Sequence, residues 1–138
     1  MKKYLAVMRR PIFFVIVNFF LVNTLFSLLP YDIGNIVYNI GRISILFYGG
    51  WLIARKKIGG IWLSALAGTT LYFVDHVVVK GGVFLLNYLF KPAGVGLAAF
   101  GGVVVSFIMF IPLSMLIGMA GGLFAARSRR EGTTADSP

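Results

Sequence analysis

Apolar residues along this chain fall in long unbroken blocks, and the charged residues gather in short clusters between those blocks. A block of about 20 apolar residues, rising 1.5 Å per residue as a helix, crosses a hydrocarbon core of about 30 Å. Four stretches qualify, at about 11–29, 35–54, 58–79 and 97–126. They predict an all-α membrane protein, a four-transmembrane-helix bundle forming one domain over 1–126. The first stretch closes at Pro30-Tyr31-Asp32, where proline, a charge and Gly34 mark a turn. Arg55-Lys56-Lys57 closes the second, Lys80-Gly81-Gly82 the third and Arg127-Ser128-Arg129-Arg130 the fourth. The fourth is longer than a bilayer requires, so it must tilt, kink at Pro112 or project beyond the membrane. Residues 82–92 are too few to span; Tyr88 and Lys91 suit them to a short interfacial segment between helices 3 and 4, the alternative being an extension of the third helix beyond the membrane. Residues 127–138 have almost nothing apolar to bury and predict a disordered cytoplasmic tail.

Composition strengthens this reading. Of the 138 residues, 59% are hydrophobic and 12% charged, against about 45–50% apolar in soluble domains on a count that also includes glycine. The net charge of +9 would suggest nucleic acid in a soluble protein, but these cations sit at the ends of apolar runs. Their role there is to orient the chain. Lys2, Lys3, Arg9, Arg10, Arg55, Lys56, Lys57, Arg127, Arg129 and Arg130 fall on one side of the predicted topology, with Lys80 and Lys91 on the other. Lysine and arginine are retained in the cytoplasm during insertion, which predicts both termini inside (N-in/C-in) and a multi-pass protein of the inner, plasma membrane. The same bias argues against a dimer of oppositely inserted copies. The amino-terminal run has the charge layout of a secretory signal, but 12–29 exceeds the usual h-region of about 7–15 residues and no small-x-small cleavage site follows. It is expected to remain as the first span.

The chain has no cysteine and a single histidine, His76. Thiolate chemistry is excluded, and one histidine with four scattered acidic residues predicts no metal site and no cofactor. None of the doubled glycines sits in a phosphate-binding loop. No serine triad and no second carboxylate near Asp75 is evident, so a non-enzymatic role is expected.

The polar residues at membrane depth carry the candidate chemistry. Residues 43–54 alone are too short to cross, so the second helix must take Arg42 into the bilayer, at about 2.5–3.5 kcal/mol on insertion scales for a charge near its centre. Asn35, Asn39 and Arg42 are spaced i, i+4, i+7 and share one stripe. On the third helix Ser64, Gly68, Tyr72 and Asp75 share a face, with His76 and Lys80 beside it. Asp75 is the natural counter-ion of Arg42. The cluster of Asn35, Asn39, Arg42, Tyr72, Asp75 and His76 reads either as an interhelical lock or as an outward-facing site where Asp75 or His76 exchanges a proton and Arg42 binds a polar group. On the first helix Asn18, Asn23, Thr24 and Ser27 suit interhelical hydrogen bonds.

Small residues at four-residue spacing, Ser64 and Gly68, Ala98 and Gly102, Gly118 and Gly122, permit close helix packing, within the bundle or against another protein. The leading functional expectation is an accessory or assembly subunit that docks a larger membrane partner through these faces and the polar cluster. The alternative is a small oligomeric transporter or channel with its site at Arg42, Asp75 and His76. The bilayer and a membrane-protein partner, or a second copy of the chain, are the expected associates; nucleic acid is not.

Overall fold

The computed structural model describes residues 2–26, 28, 30–90 and 97–135. Its helices are α1 (Lys2–Phe26), α2 (Tyr31–Arg55), α3 (Ile61–Phe73), α4 (Gly81–Phe90) and α5 (Leu97–Ala135), and a π-helical stretch, Val74–Lys80, joins α3 to α4. Four segments are long and apolar enough to cross a membrane: Lys2–Val22, Asp32–Arg55, Ile61–Leu86 and Val104–Ser128. Among the described residues there is no strand.

Three boundaries depart from the sequence pattern. The first helix starts at Lys2, well before Pro11, because Pro11 lies inside it. Proline removes one hydrogen bond and clashes with the preceding turn, yet Pro11 is buried where α1 meets α2. Residues 81–90 continue directly from the third helix, as the alternative reading of this segment has it. Gly81 keeps helical angles (φ −64, ψ −37), and its N–H reaches back to the His76 carbonyl. Breaking the helix at the Gly81-Gly82 pair would leave backbone groups unsatisfied, which costs more than the propensity penalty of about 1 kcal/mol per glycine. Residues 91–92 lie outside the described residues. Finally, α5 runs on to Ala135 through most of the stretch expected to be disordered. A helix already formed propagates without a new nucleation cost, so polarity alone does not end it.

The turn after α2 closes by a six-to-one and five-to-two pair of bonds. Ile58 N–H donates to the Ile53 carbonyl (3.2 Å) and Lys57 N–H to the Ala54 carbonyl (3.1 Å). That geometry places Lys57 in the left-handed region, φ 53, where glycine is usual.

Close packing of α2, α3 and α5 depends on glycine. A Cβ on Gly50 would strike the Gly118 backbone, and one on Gly118 would strike the Ser64 carbonyl and the Gly68 backbone. Gly68 meets the Ser114 carbonyl, Gly121 the Phe47 carbonyl and Trp51 amide, and Gly122 the Ser64 side chain. Ser64 Oγ completes the seam by donating to the Gly50 carbonyl at 3.0 Å. Without a hydrophobic driving force between helices in lipid, such approaches supply the dispersion contact that holds them together. Ser64, Gly68, Gly118 and Gly122 are therefore occupied inside the chain. A Cβ on Gly102 would meet nothing within 4 Å among the described residues, and the Ala98 side chain lies outside the described set.

Beside the seam Met8, Val15, Leu46, Ile53, Ala67, Leu71 and Tyr72 form the buried core. Large apolar side chains point outward instead on all four long helical runs, among them Phe13, Ile40, Trp62, Leu85 and Met109. That inversion suits a hydrocarbon solvent. The seam also brings the carboxyl end of α2, the start of α3 and the later turns of α5 together, so Arg55, Lys56, Lys57 and Arg127 lie toward one end of the molecule.

Candidate functional site

The polar cluster is assembled from α2, the last turn of α3 and the π-helical stretch that continues it. On α2 the stripe is a ladder: Asn39 Nδ2 donates to the Asn35 carbonyl (2.9 Å) and side-chain oxygen (3.1 Å), and an Arg42 guanidinium N–H donates to Asn39 Oδ1 (2.8 Å). Each rung follows from residues three or four apart lying one above the other. Arg42 is thereby fixed with its guanidinium carbon 5.8 Å from the centre of the Tyr38 ring and 5.6 Å from that of Tyr72. Both distances lie within cation–π range.

Asp75 and His76 belong to the seven-residue π-helical stretch and are buried, Asp75 with 2% of its surface exposed. Wider i→i+5 turns re-aim side chains and recur at functional positions. The Asp75 carboxylate takes its hydrogen bond from the Tyr38 hydroxyl, at 2.5 Å, rather than from Arg42. Its second oxygen, Oδ2, is buried with no hydrogen-bond partner among the described residues. Lys80 joins the group, its ammonium 4.6 Å from the centre of the Tyr38 ring and within Coulombic range of Asp75 and Arg42.

Tyr38 is the residue that sequence reasoning passed over. It lies three positions after Asn35 and four before Arg42, on the same stripe, but reads as apolar within a hydrophobic run. A phenol is cheaper to desolvate than a guanidinium, and its shorter reach suits a hydroxyl-to-carboxylate bond between two packed helices. Arg42, the longer side chain, settles on aromatic faces and on Asn39.

Tyr72 forms the second half of the site. Its ring stacks on His76 (5.3 Å, 15°) and on Phe107 of α5 (5.7 Å, 8°), and its hydroxyl donates to the Ser106 carbonyl at 3.4 Å. The structure thus brings Arg42, Tyr72, Asp75 and His76 into one neighbourhood and sets Asn35 at its edge through Asn39. Ser64 and Gly68 belong to the glycine seam. Asn18 packs between α1 and α2: its amide donates to the Tyr38 carbonyl at 3.5 Å, and its side chain covers Gly41. Thr24 bonds its own helix at the Phe20 carbonyl (2.9 Å). Ser27 and the Asn23 side chain lie outside the described residues. Among the described residues no group of three His, Asp or Glu side chains converges as metal ligands.

A cavity bordered by Arg42, Leu46, Tyr72, Phe110 and Ser114 measures about 40 Å3, room for a water molecule or so, against about 300–1,000 Å3 for small-molecule sites. No protein family, no curated protein and no solved structure matches this chain.

Proposed function

We propose that this chain is an accessory or assembly subunit of the inner membrane, N-in and C-in, that works by joining a larger membrane assembly. The observation that carries the reading is the 40 Å3 cavity at the polar cluster. A solute needs several times that volume, and the surrounding helices touch backbone to backbone at Gly50, Gly68 and Gly118, so widening the cavity means separating them. A chain packed in this way fits a fixed building block better than a carrier that opens and closes. Because the glycine seam is used internally, docking falls to the outward apolar faces and to the open side of α5 at Gly102. The cytoplasmic placement of both termini is supported by the lysine and arginine bias alone.

A second reading, an oligomeric transporter or channel, is favoured by the buried Asp75 oxygen that lacks a hydrogen-bond partner among the described residues. Ionisable groups at membrane depth commonly mark ion pathways. The two readings separate on the mass and composition of the complex purified in gentle detergent from cells expressing the protein at native level. Stoichiometric co-purification of a different membrane protein is the expected result. A homo-oligomer alone would overturn the accessory reading and make proton or ion flux in liposomes, in wild type and in Asp75→Asn, the next measurement.

A further inference from the structure

We propose that a groove at the basic end of the molecule is a binding site for an anionic phospholipid. Four lysines border it: Lys2 and Lys3 from the first turn of α1, Lys56 and Lys57 from the turn between α2 and α3. The two pairs are distant in sequence, and only the laying of α1 against α3 brings them to one place. That contact is specific. The Thr70 hydroxyl gives its hydrogen to the Leu66 carbonyl (2.8 Å), so the Tyr4 hydroxyl must be the donor in its 3.0 Å bond to Thr70 Oγ1, which ties the lysine-bearing turn of α1 to α3.

The groove measures about 930 Å3, and its lining includes no acidic side chain. The lining also carries hydrocarbon, with Leu5 and Leu66 left 52% and 50% exposed. Ammonium charge and exposed hydrocarbon in one groove complement a phosphate headgroup carried on acyl chains. A soluble anion would answer the lysines and leave the leucines uncovered; a zwitterionic lipid would cover the leucines and leave the lysine charges uncompensated. The location agrees, because the groove opens where the first and third spans begin, at Lys2 and Ile61, and basic pockets between helices at that level suit anionic headgroups.

This inference does not depend on the subunit reading, since it concerns lipid and not protein. The test is native mass spectrometry of the full-length protein released from vesicles of equal phosphatidylglycerol and phosphatidylcholine with the same acyl chains. Wild type is expected to retain phosphatidylglycerol selectively. A lysine near the surface contributes about fivefold in affinity for an anionic lipid. Lys57→Gly, which relaxes the backbone and so preserves the fold, should lose about fivefold in retention, and Lys3→Gln/Lys57→Gly roughly thirtyfold. Arg9→Gln/Arg10→Gln removes the same charge from α1 at residues that do not line the groove and should change retention less than twofold. Equal losses in the two double variants would reveal diffuse attraction and overturn the site, as would equal retention of the two lipids. Competition by millimolar glycerol phosphate would assign the groove to a soluble anion and overturn the lipid.

Discussion

A carboxylate withdrawn from water needs donors, and at Asp75 the Tyr38 hydroxyl supplies one, while Oδ2 has none among the described residues. Losing the one bond should therefore be costly. Tyr38→Phe is expected to destabilise the folded protein by about 1–3 kcal/mol, the cost of leaving a buried acceptor unsatisfied. In an Asp75→Leu background the same substitution should cost little, so a double-mutant cycle should return most of that value as coupling. Arg42→Gln, which removes contacts to two aromatic faces and to Asn39, should couple to Asp75 more weakly than Tyr38 does. Reversible unfolding in mixed micelles measures all three, and a larger Arg42–Asp75 term would refute the central place given to Tyr38. The charges were legible in the sequence because charge within an apolar run is conspicuous. Tyr38 was not, since a tyrosine there shows its ring and hides its hydroxyl until a partner helix is in place.

Among the helices, the decisive contrast is between glycines that look alike in sequence. Gly118→Ala would press a methyl against the Ser64 carbonyl and the Gly68 backbone, and Gly50→Ala against Gly118. Backbone on both sides cannot yield as a flexible side chain can, so each substitution should cost about 1–3 kcal/mol. Gly102→Ala meets nothing within 4 Å among the described residues and should be neutral in thermal unfolding followed in detergent. A cost at Gly102 comparable to that at Gly118 would mean that the seam does not lie where we place it. The four-residue spacing announced small faces, but equally for Gly102 and Gly122. Only the neighbour across the interface separates them. The continuation of α3 through 74–90 was undecided in the sequence for a related reason: a helix in an apolar setting tolerates glycines that would end one in water, because its backbone bonds have no replacement.

For the whole molecule, orientation is the property on which both functional proposals draw. Reporter fusions at either terminus should be active only as cytoplasmic reporters, and a fusion near residue 30 should behave as external; opposite results would reverse the topology inferred from charge. The basic groove provides a second whole-molecule comparison, because it joins α1 to the α2–α3 turn. The individual lysines stand out in the sequence, whereas their meeting in one groove with exposed leucines does not.

The sequence by itself determined the solvent, the number of apolar spans and the stripe that carries Asn35, Asn39 and Arg42. These follow from hydropathy and from periodicity along one helix, which are local properties. The tertiary structure alone decided that Tyr38 and not Arg42 bonds Asp75, that four of the singled-out small residues pack within the chain, and that Lys2 and Lys3 share a groove with Lys56 and Lys57. Each of those depends on the relative height and rotation of two helices. A shift of one residue in either would bring different side chains into contact, and that register is set by the fit of whole surfaces, not by any segment read alone.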